Sequence, residues 1–329
     1  MSSYKNNPRV ILHALCDNDK DWLDWVADKE KPVKRYADFT EMVKDPDIDA
    51  ISLCLPTAFH TEAAIAALDA GKHVLCEKPM ALNYADAKKM IEASEKSGKK
   101  LMISHQQRFG NDIQMLKRRQ EAGFFGDIYF IRIAWRRPAR CLRNMGRFVL
   151  RENGRMQNKN WFNEKDNGGG VLRDLGTHMI DLSLYITGFP EFEGAYGNLY
   201  RKFYPPDYDG SYPMDAEDLA SAHIKFKNGL SVQLEVSFAS HVEDEIVLTE
   251  IYGAKGGASR RDGTVRFFTS DGDGSYVETI KDNAVKTKTS QEHFVDAILD
   301  DKPVPITAQE GAEVVRIMDA IYASGEIRR

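Results

Sequence analysis

The sequence lacks several features that would indicate a membrane or a nucleic acid as its partner. No apolar run approaches the roughly 18 residues that cross a bilayer, and the first eight residues, MSSYKNNP, contain no apolar signal-peptide core. Neither sign of charge strongly predominates: the chain has 45 Lys and Arg and 50 Asp and Glu residues, which gives a net charge of -5. This balance excludes nucleic acids and anionic membranes as the main partners.

Cysteine is scarce. The sequence contains only Cys16, Cys54, Cys76 and Cys141, and their spacing matches neither a metal site nor a redox motif. Three of them fall in predicted buried strands, where a thiol acts as a small apolar side chain. The sequence therefore predicts free thiols, no bound metal and a cytoplasmic protein.

Glycine is absent from the beginning of the chain, since the first glycine is Gly71. A G-x-G-x-x-G turn, whose backbone amides would bind the pyrophosphate of a dinucleotide, therefore cannot occur before that residue.

Strand-like and helix-like segments alternate over residues 1–104. The strand-like runs are almost continuously apolar, which is typical of strands covered on both faces. Strands separated by helices of about ten to fifteen residues predict βαβ units and a parallel sheet. We therefore expect an α/β fold with an incomplete, Rossmann-like doubly wound sheet in residues 1–104. The predicted strands are Val10–Cys16, Ala50–Pro56, the run before Glu77 and Lys100–Ser104, and the predicted helices are Lys20–Asp28, Tyr36–Val43, Thr61–Ala70 and Asn83–Gly98.

The pattern changes in residues 105–329. Ala222–Lys227 and Leu230–Val236 alternate at period two around Asn228-Gly229, a dipeptide that favours a tight hairpin. We expect an α+β domain with a large, mostly antiparallel open sheet, one face of which can receive a helix or another subunit. A last helix, Ala308–Ser324, could pack back on the first domain.

The segment Glu77-Lys78-Pro79 places a lysine after a predicted buried parallel strand. Ligands of open α/β sheets bind at the carboxyl ends of strands, and Pro79 restricts the backbone around the lysine. Lys78 is therefore a candidate ligand-binding residue. These three residues alone leave a second interpretation open, a surface lysine in a strand-to-helix loop.

A second segment, Gly168–Asp181, joins three glycines to a predicted helix. Residues four apart on a helix lie on one side, so Asp174 and His178 can point in the same direction. Histidine is the common general base near neutral pH, and a neighbouring carboxylate can orient its ring. The segment predicts an acid–base pair, although a purely local pairing of the two side chains is the alternative.

Three segments occur in order along the chain: Leu55–His60 (LPTAFH), Glu77-Lys78-Pro79 and the glycine-rich segment that leads to His178. Together they resemble the glucose–fructose oxidoreductase/inositol dehydrogenase (Gfo/Idh/MocA) family, over nearly the whole chain. The resemblance implies hydride transfer between a nicotinamide cofactor and a secondary alcohol of a sugar, sugar derivative or cyclitol. By the same analogy, we expect a homodimer or homotetramer formed through the antiparallel sheet.

The resemblance implies catalytic roles for Lys78, Asp174 and His178. Lys78 would bond to the reacting oxygen, and His178 would take the hydroxyl proton. Asp174 would orient His178 or bind a neighbouring hydroxyl, so Asp174 and His178 are also expected to contact the substrate. Deprotonation of the alcohol makes hydride loss easier, and a cationic lysine stabilises the developing alkoxide.

The resemblance also implies a cofactor site at the strand ends. Asp17 suits the hydroxyls of an adenosine ribose and favours NAD over NADP, whose 2′-phosphate it would repel; a solvated turn residue is the alternative. Thr57 stands where the family often has asparagine. The expected cofactor-binding residues are Asp17, Pro56, Thr57, His60, Glu77, Lys78, Pro79 and Gln106.

Further residues are candidates for the substrate site. Arg108 could line a cleft or tie the domains together, and Trp161 could stack on a sugar ring or pack internally. The stretch Arg136–Arg155 carries seven arginines and one acid, Glu152. This predicted basic loop could contact an anionic or hydroxylated substrate, or it could be a subunit contact or a solvated flap.

The sequence departs from the family at its start, because no first strand and no glycine-rich turn precede Pro8. The resemblance therefore implies either a longer natural chain or a form that binds dinucleotides poorly. Two rival functions stay open: a non-catalytic sensor of sugars or dinucleotides, and an enzyme that retains its cofactor while it forms a 3-keto sugar. Retention of Lys78, Asp174 and His178 favours an enzyme over a sensor.

Overall fold

The computed structural model describes residues 2–139, 161–204, 210, 213–261, 263–271, 274–281 and 287–328. Cys141 and the predicted basic loop beyond residue 139 lie outside these residues. The chain forms two compact units. Unit 1 comprises Met1–Gln106 and Lys288–Ala312, and unit 2 comprises Gln107–Thr287 and Glu313–Arg329.

Unit 1 contains two parallel sheets among its described residues. One sheet pairs β1 (Ala14–Cys16) with β2 (Lys34–Tyr36). The other consists of β3 (Ala50–Leu53), β4 (His73–Glu77) and β5 (Leu101–Ser104), in that order. The sequence does not predict β2, because its three residues include two charged side chains and form no apolar run.

Helices connect these strands, which confirms the predicted parallel α/β fold. They are α1 (Ser2–Lys5), α2 (Lys20–Glu30), α3 (Phe39–Met42), α4 (His60–Asp69) and α5 (Tyr84–Ser97). The predicted helix Tyr36–Val43 is too long, because Tyr36 belongs to β2. The ends of α5 follow local chemistry: the Asn83 side chain accepts a hydrogen bond from the Asp86 amide, and Gly98 adopts a φ of 67°.

The described cysteines are free thiols, as predicted. Cys76 lies on β4 and is buried, and Cys16 is half-buried. Cys54 is exposed rather than buried, because β3 ends at Leu53 and Cys54 lies in the following loop.

Unit 2 is built on one large mixed sheet. Its strands are β6 (Ile128–Pro138), β7 (Phe192–Tyr200), β8 (Leu219–Phe226), β9 (Ser231–Ser240), β10 (Ile246–Gly253), β11 (Gly257–Arg261), β12 (Thr264–Ser270), β13 (Ser275–Lys281) and β14 (Ile327–Arg328). The order is β13-β12-β11-β10-β6-β9-β8-β7-β14. All neighbours are antiparallel except β6–β9 and β7–β14, so the predicted, mostly antiparallel sheet is confirmed.

Two local predictions for this sheet have different outcomes. The hairpin at Asn228-Gly229 is confirmed, since it joins the antiparallel strands β8 and β9 and Gly229 adopts a φ of 89°. The prediction that Arg136 and Arg137 begin a loop is wrong. Both lie on β6, because pairing with β9 and β10 continues past them, and their side chains pair with Glu235 and Glu245, respectively.

One face of the sheet is covered and the other is open. Ile131 and Ile133 of β6 and Ile224 of β8 are fully buried on the covered face. The helices on this face include α6 (Asn111–Glu121) and α7 (Thr177–Thr187): α7 packs on β6 and β9, and α6 packs on α7. Intervening residues such as Arg132 and His223 are exposed. This alternation is the pattern of a sheet with one solvated face.

Two helices lie near the C-terminus, α8 (Ser290–Leu299) and α9 (Ala308–Ala323). Thr289 and Glu292 form a reciprocal capping box at the start of α8. Gly311 of α9 packs on β5 so closely that a Cβ there would lie 2.7 Å from Ile103 Cγ1. No helix in the described part of the chain is long and apolar enough to span a membrane.

Candidate active site

Glu77, Lys78 and Pro79 lie where β4 ends. Glu77 is the last residue of β4 and is in register with Ser104 of β5. Burial raises the pKa of the Glu77 carboxyl, and a hydrogen bond with Ser104 and the charge of Lys78 oppose this shift. Lys78 is half-buried, and the Lys78–Pro79 peptide bond is cis. Lys78 therefore lies at the carboxyl end of a parallel sheet, the edge at which α/β folds bind ligands.

His60 links the loop after β3 to the loop after β4. It is 1% exposed, and its Nδ1 and Nε2 each lie 2.9 Å from a backbone carbonyl oxygen, those of Pro79 and Leu55. Burial lowers the pKa of the imidazole, and the hydrogen bonds with backbone groups oppose this shift. The sequence predicts that His60 borders the cofactor. Its contacts with the carbonyls of Pro79 and Leu55 support a structural role, in which His60 holds the loop of Pro79 in position.

Thr57 begins the short 3₁₀ turn Thr57–Phe59, directly before α4. Its side chain is 1% exposed, and Oγ1 has no hydrogen-bond partner among the described residues. A buried hydroxyl without a partner is costly. Thr57 therefore fits a bound polar group, such as the carboxamide of a nicotinamide. The preceding residue, Pro56, is half-buried.

Asp17 directly follows β1. Its Oδ1 accepts a hydrogen bond of 2.9 Å from the Asp19 amide, which holds the carboxylate at the carboxyl end of the strand. A dinucleotide bound there would present its ribose hydroxyls to such an acceptor. Gln106 is exposed at the start of the 3₁₀ turn Gln106–Phe109. The residues of unit 1 thus fit the ribose and nicotinamide parts of NAD(P), whereas the sequence before Gly71 provides no glycine turn for the pyrophosphate.

In unit 2, a wide helical turn carries Asp174 and continues into the helix that carries His178. Residues Leu172–Gly176 form a π-helical turn that leads directly into α7; single turns of this kind are frequent at functional sites. Asp174 is half-buried, and His178 is 5% exposed. The unbroken helical path keeps these two residues, four apart in sequence, on one side.

Trp135, which no sequence motif marks as a site residue, lies beside His178. The centroids of the two rings are 5.9 Å apart. The indole Nε1 donates a hydrogen bond of 2.7 Å to Glu245 Oε1, which holds the ring in place. The alternation of β6 could have identified this residue, because Trp135 has the same parity as Ile131 and Ile133, which face the covering helices.

Arg108 is buried in an ion pair with Asp181 of α7. Its Nε lies 3.1 and 2.9 Å from the two carboxylate oxygens, and its Nη2 lies 2.6 Å from Oδ1. Arg108 is 1% exposed and Asp181 is 0% exposed. The guanidinium also lies 5.1 Å from the rings of Tyr185 and Phe189. These contacts engage Arg108 inside unit 2, so they support an anchoring role for it over the predicted contact with substrate.

Trp161 begins the 3₁₀ turn Trp161–Asn163. It is half-buried, and its ring stacks on that of Phe162, with centroids 3.9 Å apart. This contact supports internal packing, the second of the two roles that the sequence leaves open for Trp161.

One group of described side chains has the spacing of a metal site. The ligand atoms of His13, Asp45 and Asp47 lie within 4.8 Å of one another. However, the Lys34 ammonium lies 2.9 Å from Asp45 and 3.3 Å from Asp47. A metal ion would have to displace this cation, so the group is better described as an ion-pair network.

Two family profiles match this chain. The profile of the oxidoreductase family with an NAD-binding Rossmann fold matches residues 1–105. The profile of the GFO/IDH/MocA C-terminal domain matches residues 113–259. The chain belongs to the Gfo/Idh/MocA family. It is therefore an oxidoreductase with an NAD(P)-binding domain, which confirms the predicted family, fold class and enzyme class.

Relatives in the Gfo/Idh/MocA family align with nearly the whole chain. A D-glucoside 3-dehydrogenase from Escherichia coli (strain K12) is 29% identical over 99% of this chain and 91% of its own length. A myo-inositol 2-dehydrogenase from Thermotoga maritima is 28% identical over 97% of this chain and 90% of its own length. Among solved structures, a levoglucosan dehydrogenase in complex with NADH has the same fold, with a TM-score of 0.81 and 22% identity over 96% of this chain and 88% of that protein.

Proposed function

We propose that this protein interconverts a secondary alcohol of a sugar or cyclitol and its ketone, with NAD as the hydride carrier. The observation that carries the proposal is the helix start in unit 2. There, Asp174 and His178 share one side of a continuous helical path, and His178 is buried beside Trp135. The names of the glucoside and inositol dehydrogenases among the relatives support a polyhydroxylated ring as the substrate.

The proposed mechanism assigns one task to each side chain. His178 accepts the proton of the reacting hydroxyl, and its burial reduces competition from bulk water. Asp174 orients the imidazole and stabilises the imidazolium that forms. Lys78 donates a hydrogen bond to the reacting oxygen and stabilises its developing negative charge. The residues of unit 1 would hold NAD, which would supply a hydride acceptor for the carbon that carries this oxygen.

We propose NAD rather than NADP because of Asp17. Its carboxylate can accept hydrogen bonds from the ribose hydroxyls of NAD, and it would repel the 2′-phosphate of NADP. The NADH complex of the levoglucosan dehydrogenase agrees with this preference.

An absorbance assay for NADH tests the proposed activity. The full chain is mixed with NAD or NADP and a panel of glucosides and inositols, and we expect turnover of at least one of them, faster with NAD. Asp17→Ala should reduce the preference for NAD while turnover persists. NADH formation without added NAD, limited to one equivalent per enzyme molecule, would indicate an enzyme that retains its cofactor. Cofactor binding without turnover of any panel member would indicate a sensor and contradict the proposal.

The open face of the sheet in unit 2 is our proposed contact between subunits. The strand registers align an apolar row across it, formed by Phe130, Tyr252, Phe268 and Val277. Tyr252, Phe268 and Val277 are 40%, 38% and 58% exposed. Contiguous exposed apolar surface of this kind marks interaction sites.

Phe268→Asp is expected to dissociate a homodimer or homotetramer into smaller species, because the contact would bury an unpaired carboxylate. Sedimentation velocity measures the change. Tyr276→Asp is the matched control, since Tyr276 is 52% exposed but alternates with Val277 on β13 and has the opposite parity. A monomeric wild-type protein, or equal effects of the two substitutions, would contradict the proposed contact.

A further inference from the structure

Glu217 has a buried carboxyl group that contacts the helical turn of Asp174. The two segments are 45 residues apart in sequence, counted between the bonded residues Leu172 and Glu217. Glu217 precedes β8 and is 1% exposed. Its Oε1 accepts hydrogen bonds from the Leu172 amide (3.0 Å) and from the Tyr322 hydroxyl (2.9 Å). Its backbone carbonyl accepts a third, from the Val171 amide (3.1 Å). Glu217 thus binds two successive amides at the start of the helix.

The glycines before this turn lack a Cβ, and this leaves room for the Glu217 carboxylate to lie against the backbone. Gly170 adopts a φ of 111°, and a Cβ at this position would overlap both carboxylate oxygens of Glu217. A Cβ at Gly169 would overlap the backbone of Phe162. Part of the glycine run is therefore explained by contact with Glu217, rather than by a turn that binds a ligand.

The contacts with Glu217 provide acceptors for the backbone amides of Val171 and Leu172, which have no acceptor within the helix. The first amides of a helix have no acceptor within the helix itself, and a carboxylate beside them is favoured by their partial positive charge. Burial raises the pKa of the Glu217 carboxyl, whereas the hydrogen bonds from Leu172 and Tyr322 oppose this shift. The Tyr322 ring is itself covered by the guanidinium of Arg173, 4.6 Å from its centroid.

We infer that Glu217 and Tyr322 are positioning residues that hold the turn carrying Asp174 and, through it, the start of the helix carrying His178. The inference rests on the proposed function, in which these two side chains act on the substrate. Leu172 lies two residues before Asp174, so a shift of its amide moves the Asp174 carboxylate directly. The Asp174 amide, in turn, donates to the Gly170 carbonyl (3.0 Å), within the same stretch that Glu217 holds.

Three variants separate positioning from a contribution to stability alone. Glu217→Ala removes the acceptor, Glu217→Gln keeps an acceptor oxygen, and Tyr322→Phe removes a single hydroxyl while the ring stays. Glu121→Ala and Tyr129→Phe are matched controls, because the Glu121 side chain is 62% exposed and Tyr129 is 56% exposed. Tyr322→Phe remains informative where Glu217→Ala does not fold.

Steady-state kinetics with the sugar or cyclitol substrate provide the first measurement. We expect Glu217→Ala and Tyr322→Phe to lower kcat by about tenfold or more, because displacement of a catalytic group by about 1 Å can cost up to about a hundredfold. Glu217→Gln should stay within about threefold of wild type, since both donors keep their acceptor. The KM for NAD should change by less than about twofold in all variants, as the proposed cofactor residues lie in unit 1.

Amide hydrogen exchange across residues 171–178 is the second measurement and does not depend on activity. We expect faster exchange in Glu217→Ala and Tyr322→Phe, and wild-type exchange in Glu217→Gln and both controls. A lower melting temperature with unchanged kcat would show a purely structural role and overturn the inference. Unchanged exchange in residues 171–178 would overturn it as well. If the wild-type protein turns over no substrate, the proposed function fails, while the exchange data still decide whether Glu217 holds this turn.

Discussion

Lys78→Ala and His178→Asn are each expected to lower kcat/KM for the sugar or cyclitol substrate by about 10²- to 10⁴-fold, the range typical of acid–base groups. His178→Asn removes the imidazole that accepts the hydroxyl proton. In Lys78→Ala the alkoxide loses the cation that stabilises it. Initial rates of NADH formation measure both effects. Lys96→Ala and His241→Asn are matched controls on exposed residues of the same types, and both should retain wild-type activity.

The double variant Lys78→Ala/His178→Asn tests whether the two residues act on the same oxygen. Residues that act as a unit have strongly non-additive effects. We therefore expect the double variant to lose much less than the product of the two single losses. Losses that multiply would show that the two side chains serve independent steps. Wild-type turnover in either single variant would contradict the assigned roles.

Asp181→Ala is expected to lower the free energy of unfolding by about 3–5 kcal/mol, because it leaves the buried guanidinium of Arg108 without a counter-charge. Both side chains are almost fully buried, and three short N–O contacts join them. The substitution therefore removes all three contacts at once. Urea denaturation followed by circular dichroism measures the change.

Two further variants show whether burial causes this loss. Glu121→Ala removes an exposed carboxylate that pairs with the half-buried Lys117 at an N–O distance of 3.7 Å, and it should cost no more than about 0.5 kcal/mol. Arg108→Met/Asp181→Leu replaces both buried charges by apolar groups and should recover most of the stability that Asp181→Ala loses. A cost below about 1 kcal/mol for Asp181→Ala would mean that solvent reaches Arg108.

Features that depend on neighbouring residues were predictable. The apolar run before Glu77 forms a strand wherever both of its faces are covered, so the position of Lys78 at the strand end followed from the local pattern. The hairpin at Asn228-Gly229 followed in the same way, because few other dipeptides accept the required backbone angles. The helical spacing of Asp174 and His178 is also local, although the sequence did not predict that Leu172–Gly176 forms a π-helical turn.

Features that depend on distant partners were not predictable. The sequence left two roles open for Arg108, lining a cleft or anchoring the fold, and the structure favours the second, because Asp181, 73 residues away in sequence, lies against it. Glu217 was not recognised, because its contact with Leu172 spans 45 residues and its contact with Tyr322 spans 105. Trp135 was not singled out as a site residue: the alternation of β6 places it on the covered face, but its neighbour there, His178, lies on another element.

The sequence by itself determined the alternation of strands and helices in residues 1–104 except for β2, the hairpin at Asn228-Gly229, and the residue types that can move a proton or stabilise an alkoxide. These depend on backbone propensities and on periodicity over a few residues. Only the tertiary structure decided which polar groups are buried and what satisfies them. A carboxylate or guanidinium is stable in the interior only with a partner, and here the partners, Asp181 for Arg108 and Leu172 and Tyr322 for Glu217, come from other elements of the sheet-and-helix packing in unit 2.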